Sequence, residues 1–157
     1  MPSNSLTNLT ALSPIDGRYA SKTNDLRPWL SESAFMKMRV KVEVHWLIAL
    51  TKAGLPNIPT FSEASEKFLM NLIETFSLED AGRIKEIESV TNHDVKAVEY
   101  WLKEKVKGQV ELENASEFIH FACTSEDINN TSHGLMLTGA VHEVMLPKLQ
   151  LVLDTLK

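Results

Sequence analysis

Met36-Lys37-Met38-Arg39-Val40-Lys41-Val42-Glu43-Val44-His45-Trp46-Leu47-Ile48-Ala49-Leu50 decides the fold class of this chain, because its first part alternates apolar and polar side chains with the period of a half-buried strand. Taken alone, that alternation predicts β structure. The run nevertheless continues to Gly54 without a turn residue, a length ordinary for a helix and long for a strand. Length outweighs period, and the segment is predicted to be helical. Downstream, Phe68, Leu69, Leu72, Ile73 and Phe76 recur at helical spacing after Ser62, which predicts a helix near 63–76. Ser77 and Asp80 form a cap-like pair ahead of Ala81, Ile84 and Ile87, so a second short helix follows at once. Thr91 and Asp94 repeat the pairing before the stripe Val95, Val98, Leu102 and Val106, an amphipathic helix near 92–106. The last helix should begin near Ser125, turn Leu135, Val141 and Val144 inward, and bend or break around Pro147. The expected fold class is all-α.

The sequence has 157 residues, 43% of them hydrophobic, enough for about one core. A net charge of -5 and the lack of a long Lys/Arg block argue against nucleic acid or an anionic membrane as the main partner. A small anionic ligand remains compatible. The single cysteine, Cys123, excludes an internal disulfide, and no Cys/His cluster has zinc spacing, so no metal is expected. Met1–Thr7 lacks a basic region followed by an apolar one, and no apolar run approaches the ~20 residues of a membrane span. The expectation is a soluble, unexported protein of the cytoplasm. Leu149, Val152, Leu153 and Leu156 still form an apolar stripe where the sequence stops at Lys157. Either an oligomer partner buries it or the chain is a piece of something longer.

Three segments carry chemistry. Ser13-Pro14-Ile15-Asp16-Gly17-Arg18-Tyr19 is a tight turn presenting a planar guanidinium beside a phenol, suited to phosphate or carboxylate, although Pro and Gly make turns of any kind. Thr91-Asn92-His93-Asp94 sets polar side chains in a first helical turn, where free N–H groups and the helix dipole favour anions. His93 there suits a general acid or base, or a hydrogen-bond donor to substrate, and Asp94 suits either a site or a cap. In Cys123-Thr124-Ser125-Glu126-Asp127, Thr124 and Asp127 fit a capping box, while the hydroxyls of Thr124 and Ser125 stand beside backbone N–H groups as a bound carboxylate requires. Glu126 and Asp127 must then point away from an anion. His120, His133 and His142 read as structural, each in an amphipathic pattern without a second polar partner. Cys123 shows no aligned base that would make it a nucleophile.

Taken together and in this order, Ser13–Tyr19, Thr91-Asn-His-Asp-Val-Lys-Ala-Val-Glu-Tyr100 and Ser116-Glu-Phe-Ile-His-Phe-Ala-Cys-Thr-Ser-Glu-Asp-Ile-Asn-Asn130 resemble the N-terminal part of the adenylosuccinate lyases, within the fumarase/aspartase superfamily and in its longer bacterial form. The resemblance implies an N-terminal helical domain over residues 1–115 and, from 116 to 157, the start of a central helical-bundle domain. It implies a cofactor-free β-elimination of fumarate from a succinylated purine nucleotide, the small-molecule partner, by a homotetramer. Arg18 and Tyr19 match a pair that holds the nucleotide phosphate. Asn92, His93 and Asp94 match a turn that orients the succinyl-purine region, with His93 supporting catalysis, and Thr124 and Ser125 match hydroxyls on the succinyl carboxylates. The general-acid histidine and the base, a serine in a Gly-Ser-Ser-x-Met-Pro-type loop, match nothing in this sequence, so the chain alone is expected to be inactive. Another fumarate-releasing lyase, such as one acting on argininosuccinate, and a non-catalytic helical assembly module are the competing expectations.

In the complete protein, His93→Ala is expected to impair turnover or substrate binding far more than His142→Ala. Equal, small effects in steady-state kinetics would make His93 structural.

Overall fold

Ser31 opens the longest helix of the computed structural model, which describes residues 9–56 and 58–157. The Met1–Thr7 stretch and Asn57, in the connection from Gly54 to Pro59, lie outside the described residues. A short helix α1 (Arg27–Leu30) ends at Ser31, whose extended backbone and side-chain oxygen, accepting the Ala34 N–H at 3.3 Å, start α2 (Glu32–Lys52). The alternating stretch is therefore helical, as its length predicted. Its period misleads because α2 is buried on almost every side: Met36, Met38, Val40, Val44, Leu47, Ile48 and Leu50 are all buried, and through the middle of the helix only His45 and Ala49 are exposed. A helix without a solvent face need not show a 3.6-residue stripe.

Helices α3 (Glu63–Glu74), α4 (Leu78–Thr91) and α5 (Asp94–Val106) cover one side of α2, and α6 (Val110–Asn114) packs on α5. Ser62 and Ser77 cap α3 and α4 as expected, Ser77 completing a capping box with Asp80, whose carboxylate accepts the Ser77 N–H at 3.0 Å. The core between these helices is built from Val40, Val44, Leu47, Leu69, Ile84, Val98, Trp101 and Leu112, and the Trp101 ring meets Phe76 edge-on at 5.5 Å. Against another side of α2 lies α7 (Ser125–Gly139), which contributes Ile128, Ser132 and Met136. The stripe runs on through Ala140 and Val144 in a π-helical turn, Ala140–Met145, before α8 (Leu146–Thr155). Pro147, which has no N–H to give, sits just past this turn, so the irregularity precedes the proline rather than following it. On α8, Leu149, Leu151, Val152 and Leu153 are exposed, as is Leu156 just past its end.

No strand occurs among the described residues, and the fold is all-α. No helix among them is long and apolar enough to cross a membrane. The segment before α2 runs along α7: two 3-10 turns, Ala20–Lys22 and Asn24–Leu26, lead into α1, with Trp29 against Gly139 and Asp25 paired with Lys148 at 2.7 Å.

Gly134 and Gly139 share α7 but face different surroundings. A Cβ at Gly134 meets nothing, whereas one at Gly139 falls on the Trp29 ring. Gly134→Ala should therefore stabilise the chain by about 0.5–1 kcal/mol through helix propensity. Gly139→Ala should destabilise it by about 1–3 kcal/mol through overpacking, and urea unfolding of the two variants measures both signs.

Candidate functional site

Asn92 separates α4 from α5 by adopting the left-handed region (φ 51, ψ 35), which asparagine tolerates better than most residues. Its N–H still closes α4 on the Glu88 carbonyl at 2.8 Å, and the next residue, His93, is extended and becomes the cap of α5. His93 Nδ1 accepts the Lys96 N–H at 3.1 Å. This corrects the expected Thr91–Asp94 capping pair: Thr91 is the last residue of α4, and its hydroxyl donates to the His93 carbonyl. Left-handed Asn92 ends α4 too late for Thr91 to cap anything. Because Nδ1 is an acceptor, neutral His93 carries its proton on Nε2, and the half-exposed ring offers that N–H as a donor.

Asp94 accepts the Val95 N–H at 2.8 Å and forms an ion pair with Arg39. Partial burial opposes ionisation of Asp94, but the Val95 N–H and the Arg39 guanidinium outweigh it and hold the carboxyl below its ordinary value. Arg39 is itself buried. Its Nε–H donates to Asn129 Oδ1 at 2.9 Å, and its guanidinium lies 3.7 Å from the centre of the Phe35 ring, which in turn stacks on His133 at 4.3 Å. One side chain of α2 thus ties the start of α5 to the first turns of α7.

At the α7 start, Asp127 folds back so that one of its oxygens accepts both the Thr124 N–H (2.8 Å) and the Thr124 hydroxyl (3.1 Å). Those bonds, the backbone one foremost, hold the Asp127 carboxyl below its ordinary value. The Thr124 hydroxyl proton is therefore committed, whereas half-buried Ser125 makes no side-chain hydrogen bond. Glu126 accepts from Asn129 at 3.4 Å. Beside this start, a cleft of about 610 Å³ opens between α2 and α7, lined by Lys41, His45, Trp46, Cys123, Asp127 and Thr131 among others. Burial, then the nearby Glu43 and Asp127 charges, push the Cys123 thiol up, away from a reactive thiolate.

His120 differs from its expectation. It has a polar partner after all, Glu43 of α2, whose Oε1 lies 2.6 Å from Nδ1. Glu43 is fully buried, and burial pushes its carboxyl up against the opposing pull of His120. Arg39 and Glu43 are the polar residues the strand-like period concealed. Once the stretch is a helix, Phe35, Arg39 and Glu43 fall at i, i+4 and i+8 on one face, and that spacing was the signal. Among the described residues no group of three or more His, Cys, Asp or Glu side chains could hold a metal ion.

The first chemical segment lies apart. Ser13 closes its turn by accepting the Asp16 and Gly17 N–H groups at 3.1 and 3.0 Å, and Arg18 lies over the Tyr19 ring at 4.6 Å, both residues exposed. From there the chain reaches Lys148 through Asp25 and Gly139 through Trp29. At ~1.5 Å per residue, Lys148 is roughly 35 Å along the helix from Ser125. No described hydrogen bond or ion pair joins Arg18 or Tyr19 to either helix start. Through Arg39 the structure links Asp94, at the α5 start, to Asn129, one turn of α7 beyond Thr124 and Ser125, and it leaves Arg18 and Tyr19 outside that link.

The family model described as Lyase matches residues 17–157. The chain belongs to this lyase family. Among curated proteins, this lyase chain is 57% identical over 150 residues to the adenylosuccinate lyase of Haemophilus influenzae, covering 95% of the chain and 33% of that protein. It is 54% identical over 153 residues to the adenylosuccinate lyases of Vibrio cholerae and Escherichia coli, covering 97% of the chain and 34% of each. The chain spans about a third of the length of the curated relatives it matches.

Since the native Asp94 carboxyl is held low, its stabilising effect is present above the ordinary carboxylate range and is lost as pH falls through the native value. Asp94→Asn should accordingly cost stability at neutral pH, with the gap to the unsubstituted lyase chain closing on acidification. Urea unfolding across pH checks this. A gap that stays open in acid would show that the Arg39 contact does not act through charge.

Proposed function

We propose that this chain is the N-terminal part of an adenylosuccinate lyase, which releases fumarate from adenylosuccinate to give AMP and cleaves the related succinyl-carboxamide ribotide of purine biosynthesis likewise. The single observation that carries this is the agreement over nearly the whole chain with bacterial proteins of that name. It favours adenylosuccinate over argininosuccinate, and family membership disfavours a non-catalytic module.

The chemistry is a cofactor-free elimination. A base takes the proton next to one succinyl carboxylate, the C–N bond breaks with its electron pair leaving on the purine nitrogen, and an acid protonates that nitrogen. The developing negative charge needs fixed donors. Ser125, with its unengaged hydroxyl at a helix start, suits a substrate carboxylate, and Thr124 joins it on giving up Asp127. Neutral His93 supports catalysis by donating from Nε2 to the succinyl-purine region, with Asn92 beside it and Asp94 fixing the turn. Arg18 and Tyr19, a fork and a phenol, suit the nucleotide phosphate.

In one chain no described hydrogen bond or ion pair joins those last two residues to the helix starts, and Asp25, soon after them in the chain, pairs with Lys148, at a distance of roughly 35 Å along the helix from Ser125. A homotetramer that draws each site from several subunits reconciles the distance, and the exposed apolar face of α8 is the kind of surface such an assembly buries. In this account residues 1–115 form the N-terminal domain, residues 116–157 begin the central bundle, and the protein works in the cytoplasm. The acid histidine and base serine lie outside this chain.

The loss of adenylosuccinate, followed in the ultraviolet, tests the assignment in the full-length protein. Rapid turnover is expected there and none by the 157-residue chain. A full-length protein inert toward adenylosuccinate overturns the assignment, and turnover by the chain alone overturns the division of the catalytic groups.

A further inference from the structure

Glu43 and Trp46 stand three residues apart on α2 and so share a face. Each grips the same short connection. Glu43 Oε1 meets His120 Nδ1 at 2.6 Å, and the Trp46 indole N–H donates to the Phe121 carbonyl at 2.7 Å. The two contacts fall on consecutive residues between a 3-10 turn, Ser116–Phe118, and the start of α7.

That connection is strained. His120 and Ala122 have φ of 64 and 59, two of the three non-glycine residues with positive φ among the described residues. Alanine has no side-chain polar group to compensate the left-handed region, so the path must be held from outside. Two residues beyond Ala122 the chain enters Thr124 and Ser125.

Glu43 is an unfavourable residue for core packing alone. It is fully buried, its Oε2 has no hydrogen-bond partner, and Glu99 nearby adds like charge. An apolar side chain would fill that space at lower cost, but could not hold His120. Trp46 likewise spends its one polar atom on a backbone carbonyl that the strained path leaves without a helical partner.

We propose that Glu43 and Trp46 are positioning residues, a two-point clamp from α2 that holds residues 119–123 in their left-handed path and thereby sets the first turn of α7 against the substrate carboxylate. The identity of that carboxylate rests on the lyase reading above; the clamp itself does not.

The test uses the full-length protein with Trp46→Phe, which removes the indole N–H, and Glu43→Gln, which keeps the shape and a neutral hydrogen bond. Amide hydrogen exchange at residues 120–127 should quicken by about tenfold in Trp46→Phe and by less in Glu43→Gln, while amides of α4 and α5 stay as they were. The KM for adenylosuccinate should rise by about tenfold in Trp46→Phe with kcat changed less than about twofold, because the carboxylate contact is displaced and not the reacting groups. Exchange that is unchanged, or that quickens equally throughout, overturns the clamp. Local quickening with an unaltered KM overturns its positioning role. If the unsubstituted full-length protein does not consume adenylosuccinate, the lyase reading fails, and the exchange pattern alone decides for or against the clamp.

Discussion

A helix buried on nearly every side cannot leave a buried charged group without a partner, and α2 buries two, Arg39 and Glu43. Most of the local arrangement around the site depends on how they are satisfied. Arg39 needs acceptors and finds Asp94 and Asn129, which brings the first turn of α5 and the second turn of α7 to one guanidinium. Glu43 needs a donor and finds His120, which fixes where the chain enters α7. The two helix starts therefore converge because the central helix requires polar partners at two depths. The cost of an unpaired buried charge, several kcal/mol, exceeds that of the left-handed residues it enforces, about 1–2 kcal/mol each.

The legibility of the sequence divides along the same line. Helices α3 and α5 have a wet face and a dry one, so their apolar spacing and capping residues declare them. Helix α2 is dry nearly all round, and period 2 in its first half is what a helix can show when apolar residues are wanted on every face. There length decided correctly where period misled. The Asn92-His93-Asp94 and Thr124-Ser125 segments were legible as polar helix starts, because orphan N–H groups recruit a narrow set of side chains. The partners that link them were not, since Arg39 and Glu43 contact residues 55 to 90 positions away in the chain, and no local spacing encodes such contacts. The His93 cap was missed for a different reason. An imidazole is an uncommon cap, and only the left-handed Asn92 before it makes the position available.

The groups proposed to bind substrate differ in how ready they are. Ser125 and the Nε2–H of His93 are unengaged donors, whereas the Thr124 hydroxyl is already donated to Asp127. An anion arriving at α7 thus finds one hydroxyl available and one that must first exchange its acceptor. The carboxylate it displaces stays close by and is itself stabilised in charged form, which disfavours anions that form only a single contact. A ligand with two well-placed carboxylate oxygens loses less by that exchange than a halide or a monodentate ion.

The π-helical turn before Pro147 gives the α7–α8 rod a change of phase. The Leu146 N–H reaches back five residues to Val141, so one residue is added to a single turn and α8 is rotated by roughly 100° relative to an uninterrupted helix. Ile128, Ser132 and Met136 are buried before the turn, and Ala140 and Val144 within it; four residues further on stands Lys148, paired with Asp25, and the leucines occupy the positions beside it. The rod is thereby keyed like an offset shaft. A single-residue deletion within 140–145 would bring the two faces back into line, rotating the leucines of α8 relative to everything that α2 and α7 hold in place.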